Sequence, residues 1–539
     1  MAKSNFTLLF LCFDTLAASA ANINYIVYFK NKNTDENVQT HFSKEGILYR
    51  TKYNIPFDER DYAIEKYYLQ QLQKQGATIK NQSNWLNAVL INTNQKKIKK
   101  IKKLSFVKSI ITTQKSNEKN TMSVEVANEY QETKSIETYE DNYASSFSQI
   151  NLLNGEYLHE QGFKGENMII AVCDNGFRNL NNNTAFSHIF SDKRILGTYN
   201  YVTNDSAVFT INDGSHGSNC FSFIAGIKEN DHIGTATKAK YYLFHTEDDS
   251  GEKLVEEFNL ATALERCSQL GVNVVSISLG YTTFDNTAEN HDTTDLKKNK
   301  TPAAKAVNIA ASKGMLVCVS AGNEGAKPWH YISTPADADS AFTIASVDIN
   351  GEPDASSGWG LATDTRIKPN IAAVGKSAKF INTEGNIAIG SGTSYATPQI
   401  AGLSACLWQA FPTKSNWQIK TAIEQSASQY LHPDKKIGYG IPDFQKAYTI
   451  LASSTAISTH LLEDDISVFP NPIQEMMNIE LKNGITLKNI KIINSIGQIV
   501  FITDEPIEHH ILLNNLSKGM YFLQIESNKG TVVKKIMKD

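Results

Sequence analysis

The sequence predicts an α/β protein built on a doubly wound parallel sheet, with a small α+β unit before it and a small β-sandwich after it. Two observations carry this. Between residues 148 and 452, apolar runs of buried-strand length alternate with longer stretches of helical periodicity, as strand–helix crossovers require. On either side the period changes: residues 24–113 read β, α, β, β, α, β, and residues 464–539 read as short strands and turns without a helical pattern.

Taken in order, Met1 to Ala21 combines Lys3, the apolar run FTLLFLCF and the small residues Ala18-Ser19-Ala20. This reads as a secretory signal peptide over residues 1–20, cut after Ala20 or Ala21. The run is too short to span a bilayer. Residues 21–113 follow as one unit: NYIVYF, SNWLNAVLIN and FVKSIITT read as strands, and RDYAIEKYYLQQLQKQG and KKIKKIKKL as helices, giving a ferredoxin-like split βαβ order. In the lysine cluster at 96–103, Ile98 and Ile101 mark a buried stripe under a solvated face rather than a nucleic-acid or membrane patch. Residues 114–147 are charged and poor in apolar side chains, a linker by composition and a natural processing site.

In the central region the strand candidates are MIIAVCD, ILGTYNYV, KYYLFHT, VNVVSISL, MLVCVSAG and FTIASVD. The helical stretches between and after them are HGSNCFSFIAGI, LVEEFNLATALERCSQLG, TPAAKAVNIAASKG, TSYATPQIAGLSACLWQAF and SNWQIKTAIEQSA. A short SSTAIST stretch then separates this region from the tail module at 464–539, which is of sandwich type. A net charge of −4 gives no nucleic-acid footprint, and six singly spaced cysteines with no C-x-x-C pair argue against a disulfide framework.

The chemistry centres on Gly390 to Pro398, GSGTSYATP, which runs directly into an apolar helix. A serine at that first turn faces unpaired backbone N–H groups and the positive end of the helix dipole, so Ser394 is a candidate nucleophile, although a lone serine there is more often a helix cap. A nucleophile needs a base and an orienting acid. Upstream, strand MIIAVCD ends at Asp174 and GSHGS carries His216, in the order acid, histidine, serine; downstream no acid-bearing strand end precedes a histidine of the same region. Alone, Asp174 could be a turn residue or cation ligand, His216 a helix-start residue and Asn323 an ordinary turn residue beside glycine.

Taken together, AVCDNG, GSHGS, SAGNEG and GTSYATP resemble the motifs of the subtilisin-like serine peptidases, the subtilase family, in that family's order. VVSISLG, ISTPADAD with FTIASV, and RIKPNIAAVG resemble its flanking segments. The resemblance covers residues 148–452 and implies a subtilisin-like sheet with Asp174 as acid, His216 as base, Ser394 as nucleophile and Asn323 as oxyanion donor. It further implies substrate contacts from Ser276, Ser278, Leu279 and Gly280 and from Ser320, Ala321 and Gly322. Asn175, Cys220 and Phe221 depart from the usual pattern without removing a catalytic group.

The N-terminal unit resembles the inhibitory propeptides of secreted subtilases, and the tail resembles type IX secretion sorting domains through VFPNP, INSIGQIV, LSKGMYFLQI and VVKKIMK. The resemblance therefore implies a serine endopeptidase matured by propeptide removal and sent to the surface or medium of a Gram-negative bacterium. Its partners would be protein or peptide substrates, its own propeptide and the secretion machinery, with no nucleic acid. The other readings are a catalytically inactive surface binding protein on the same scaffold, and an esterase. No metal or cofactor is needed for catalysis. Family members often bind calcium, yet no D-x-[DN]-x-[DN]-G loop occurs, and Asp248, Asp249, Asp285, Asp292 and Asp295 read as loop carboxylates.

Overall fold

A computed structural model describes residues 22–32, 37–113, 143–210, 214–297, 299–456, 465–494, 498–503, 510–528 and 530–539. The expected signal peptide at 1–20, residues 114–142 of the expected tether and the 495–497 turn of the tail lie outside the described residues. The chain forms two compact units, Met1–Ala447 and Tyr448–Asp539.

The first unit begins with a four-stranded antiparallel sheet of β1 (Ile23–Phe29), β2 (Thr78–Ser83), β3 (Ala88–Thr93) and β4 (Val107–Thr113), in the order β2-β3-β1-β4. Helices α1 (Lys44–Lys52), α2 (Lys66–Lys74) and α3 (Gln95–Ile101) accompany it. In α3, Ile98 and Ile101 are buried and the lysines face outward, as the spacing requires. Helix α1 was not expected, and the helix expected over 60–76 begins only at Lys66.

Seven parallel strands form the main sheet: β5 (Ile169–Asp174), β6 (Ile195–Asn200), β7 (Lys240–His245), β8 (Val274–Ile277), β9 (Leu316–Ser320), β10 (Phe342–Val347) and β11 (Ile371–Val374). Their order is β11-β10-β9-β8-β5-β7-β6. Strands β8 and β9 are buried throughout, so they read as unbroken apolar runs rather than alternating ones. The principal helices are α4 (His216–Ala225), α5 (Val255–Leu270), α6 (Pro302–Ser312), α7 (Thr393–Ala410), α8 (Asn416–Ser426) and α9 (Phe444–Ala456). Local chemistry sets their ends: Gly271 stops α5 with φ 75°, and Thr301 caps α6 through the Ala304 N–H with Pro302 at the first position.

The structure departs from expectation in several places. Strand β11 and the antiparallel hairpin β12 (Ala378–Ile381) and β13 (Ile387–Gly390), which leads into the turn before Thr393, were not expected as strands. Helix α9 runs past residue 452 to Ala456, so the start of SSTAIST is helical rather than a separating loop. Residues 143–147, expected in the tether, are a helical start with Tyr143 5% exposed, because that ring is held by His159 Nδ1 at 2.8 Å.

The N-terminal sheet docks by its face: Ile26, Ala88 and Leu90 cover Val255 and Phe258 of α5, and Trp85 joins the central core. Buried polar pairs frame the contact. Arg50 and Lys313 both hold Asp61, at 2.7 and 2.6 Å, and Glu265 accepts from Ser83 Oγ and the Trp85 N–H. Burial pushes the Glu265 carboxyl up to about 7.

The second unit is a sandwich. Strands β14 (Ile466–Phe469), β15 (Met476–Leu481) and β18 (His510–Leu512) make one sheet in the order β14-β15-β18. Strands β16 (Leu487–Asn494), β17 (Ile499–Thr503), β19 (Gly519–Ser527) and β20 (Gly530–Lys538) make the other, in the order β17-β16-β19-β20.

Candidate active site

Asp174 closes β5 in the middle of the parallel sheet, where strand ends face a common crevice. It is fully buried, and its Oδ1 accepts from the Asn175 N–H at 2.8 Å and lies 2.7 Å from His216 Nδ1. His216 opens α4. The two glycines around it permit this approach: a Cβ on Gly217 would stand 2.3 Å from the Gly176 carbonyl oxygen, and one on Gly214 2.2 Å from that of Asn175. The GSHGS pattern is thus a close-contact requirement. Burial opposes the imidazolium, but the neighbouring Asp174 carboxylate outweighs it and holds the His216 pKa well above the usual value.

Ser394 is the second residue of α7 and is 9% exposed. Pro398, four residues on, has no N–H to give to the Ser394 carbonyl. The gap is filled from outside the helix: Ser278 Oγ donates to that carbonyl at 2.9 Å and the Cys220 thiol at 3.4 Å. In return Ser394 Oγ donates to the Ser278 carbonyl at 3.2 Å, a resting orientation in which the hydroxyl is not on His216.

Asn323 sits on the turn after β9, exposed. Its Oδ1 accepts both the Thr393 N–H, at 2.9 Å, and Thr393 Oγ1, at 3.1 Å, so the amide is oriented with Nδ2 free to donate. Thr393 Oγ1 in turn accepts the Gly322 N–H at 3.1 Å, tying the two turns together. Gly392, with φ 156°, lies against Asn323, where an added Cβ would stand 3.3 Å from Nδ2.

Of the residues expected to meet substrate, Gly280 is exposed, and Leu279 and Gly322 are half-buried. Ser278 is buried, but its carbonyl and hydroxyl both serve Ser394. Ser276 is the correction: it is fully buried in β8 and paired with Val172 and Cys318 on either side, so it has no face for a substrate. Ser320 and Ala321 are also buried, with Ser320 Oγ spent on the Leu279 carbonyl and the Ala321 N–H on that of Ile344. Their part is to hold the turn that carries Gly322 and Asn323.

Thr393 and Cys220 were missed as contributors, although Thr393 lies inside the GTSYATP motif. Cys220, one turn below His216, has its sulfur 3.7 and 3.8 Å from the two ring nitrogens; burial pushes its pKa up and keeps it a neutral thiol. Asp174, His216 and Cys220 are also the grouping of metal-type donors among the described residues, all within 4.8 Å. Asp174 and His216 already bond one another there, so a cation would displace that contact. Phe221 is fully buried, edge-on to Tyr241, and His245 bonds the Glu247 carbonyl at 2.7 Å; both belong to packing. Among the acidic loop residues Asp248 pairs with Lys253, Asp249 accepts from Asn175 Nδ2, and Asp295 pairs with Lys300.

Comparison with known proteins gives three matching models: the subtilase family over residues 165–440, a Bacteroidota peptidase S8 propeptide domain over 24–129, and a secretion system C-terminal sorting domain over 467–539. Among similar curated proteins, subtilisin E of Bacillus subtilis is 24% identical over 384 residues, 70% of this chain and 84% of its own. A thermostable alkaline protease of Halalkalibacterium halodurans is 27% identical over 293 residues, 54% of this chain and 70% of its own. Thermitase of Thermoactinomyces vulgaris is 28% identical over 268 residues, 49% of this chain and 83% of its own.

Proposed function

The chain belongs to the subtilase family, a serine-type endopeptidase family, and on that premise we propose that it hydrolyses peptide bonds through Asp174, His216 and Ser394 while its own N-terminal unit restrains it until removed. The sorting domain marks it as a secreted or surface protein of a Gram-negative bacterium.

The observation that carries the catalytic reading is the 2.7 Å contact of Asp174 Oδ1 with His216 Nδ1 beside a serine and an asparagine locked to one another through Thr393. Ser394 Oγ bonds to the substrate carbonyl carbon as its proton passes to His216 Nε2, and Asp174 stabilises the imidazolium. The oxyanion is met by Asn323 Nδ2 and the Ser394 N–H, which is free at the first turn of α7. His216 then returns the proton to the leaving amine. Water releases the acyl group by the reverse sequence. No step needs a metal. An extended substrate would lie along 278–280, beyond the point where β8 leaves the sheet at Ile277.

Maturation follows from the same reading. The leader is residues 1–20, the restraining unit 21–113, and the cut falls in the polar tether of residues 114–147, ahead of the buried Tyr143. Fluorophosphonate labelling of purified enzyme with peptide and ester substrates tests the proposal. Labelling lost in Ser394→Ala together with peptide turnover supports it. An unlabelled, inactive wild type after removal of the N-terminal unit would favour the binding-protein reading, and ester turnover alone an esterase.

A further inference from the structure

An antiparallel sheet with one face on a core normally turns a polar face to water. The four-stranded sheet of the tail does so only at one end. Its inward side chains, among them Ile490, Ile492, Leu523, Ile525 and Ile536, fill the space between the two sheets. The register then fixes what points out: Ile502, Lys491, Gln524 and Val533 stand side by side across β17, β16, β19 and β20, and Ile493, Phe522 and Lys535 form the next row. Ile502 is 57% exposed, Val533 51% and Phe522 37%. Neither row contains a carboxylate, the one acid beside them being Glu526 in the adjoining polar row of Asn489, Glu526 and Thr531, so two lysines are set into a largely apolar strip.

Contiguous apolar surface of this kind marks an interaction site, and a lysine amid apolar neighbours is best matched by an acid on the partner. We propose that this face is the surface through which a protein of the secretion system recognises the tail, one presenting apolar side chains with carboxylates opposite Lys491 and Lys535. This rests on the reading of the tail as the sorting signal. A protein fits the face better than a membrane does, because the two rows carry only two cations and none of the tryptophan or tyrosine side chains that favour a lipid interface.

The test is export of the full-length chain from its native host, read as the fraction on the surface or in the medium against the fraction kept in the envelope. Ile502→Thr/Phe522→Thr/Val533→Thr keeps β-forming residues on the strands, and Lys491→Glu/Lys535→Glu leaves every apolar side chain in place. Both are expected to lower release at least tenfold, with Lys491→Arg/Lys535→Arg releasing normally. Leu512→Thr, 64% exposed on the opposite sheet, is expected to be released like wild type. Retained variants must keep a protease-resistant tail of wild-type thermal stability, and a charge-reversed chain that folds and is still released overturns the proposal. Deletion of residues 464–539 separates the two levels: retention of the deleted chain beside normal release of both face variants refutes the face alone, whereas normal release of the deleted chain refutes the sorting reading beneath it. Two further results would overturn the proposal: binding of wild type, but not the charge-reversed chain, to phosphatidylglycerol vesicles, and a wild-type dimer that the threonine variant dissociates without loss of release.

Discussion

Thr393→Val tests the active-site geometry more sharply than removal of a catalytic group. Valine keeps the shape of a fully buried residue and removes one oxygen, which donates to Asn323 Oδ1 at 3.1 Å and accepts from the Gly322 N–H at 3.1 Å. The backbone N–H of Thr393 still holds Asn323 Oδ1 at 2.9 Å, so the amide keeps one of its two restraints. Losing a single neutral hydrogen bond is worth about 1 to 1.5 kcal/mol, which is about tenfold in rate if it is felt only when the oxyanion forms. Asn323→Ala removes the donor itself and should cost about 10² to 10³ in turnover, a magnitude measured for a subtilisin. Steady-state kinetics on a peptide substrate should show kcat falling in both variants, by about ten in the first and far more in the second, with KM little changed. The unsatisfied Gly322 N–H should also lower stability by about 1 to 3 kcal/mol, seen as a lower melting temperature. Unchanged kcat in Thr393→Val with the expected stability loss would refute the orienting role of Thr393, and unchanged kcat in Asn323→Ala the oxyanion role.

Four other outcomes follow from the structure. The base must be neutral, and Asp174 holds its pKa well above the usual value near 6.5, so kcat/KM should keep rising with pH beyond neutrality and level off only in the alkaline range; a plateau already reached at pH 7 would contradict that. Because the folded pKa is the higher one, the stabilising part of the Asp174–His216 pair is complete below about pH 6.5 and is lost as pH climbs through the raised value, which thermal melts across that range should record. Mercuric or zinc ions should inhibit by capturing Cys220 beside His216, and Cys220→Ala should resist them while keeping most activity; equal sensitivity of the variant would place the inhibition elsewhere. Finally, Lys313→Met removes a buried cation that reaches Asp61 at 2.6 Å and Asp58 at 2.8 Å of the N-terminal unit, at about 1.5 to 3 kcal/mol for a hydrogen bond to a charged group. The cleaved N-terminal unit should then be held roughly 10- to 100-fold less tightly, seen as a shorter lag before activity appears; an unaltered lag would show that the ionic cluster does not set the hold.

The features legible in the sequence were those written in local spacing. Six strands of the parallel sheet stood out, the inner ones because strands buried on both faces are continuous apolar runs, and five of the six principal helices because their periods lie within a few residues of one another. The order of Asp174, His216 and Ser394 was equally plain, since the glycines of GSHGS and GSGTS mark where backbones must nearly touch. Strand β11 escaped because IAAV is four residues long and follows Lys368-Pro369-Asn370, a stretch that reads as loop. Helix α1 escaped because the side chains that anchor it, Tyr49 and Arg50, are polar: their partners are distant in sequence, the Gly314 carbonyl for Tyr49 and Asp61 and Ser268 for Arg50.

Only the tertiary structure could decide which motif residues face the crevice. Ser276 and Ser278 are two apart on one segment, yet the first is sealed between Val172 and Cys318 while the second bonds Ser394, 116 residues away. The same holds for Thr393 orienting Asn323 across 70 residues, and for Lys313 and Asp61, whose charges meet where the 58–61 turn of the N-terminal unit packs on the end of α6. A local pattern records how a side chain alternates or repeats along its own element. What it pairs with depends on which distant backbone the sheet and helices bring within about 3 Å, and hydrogen bonds and buried charges are determined at that range.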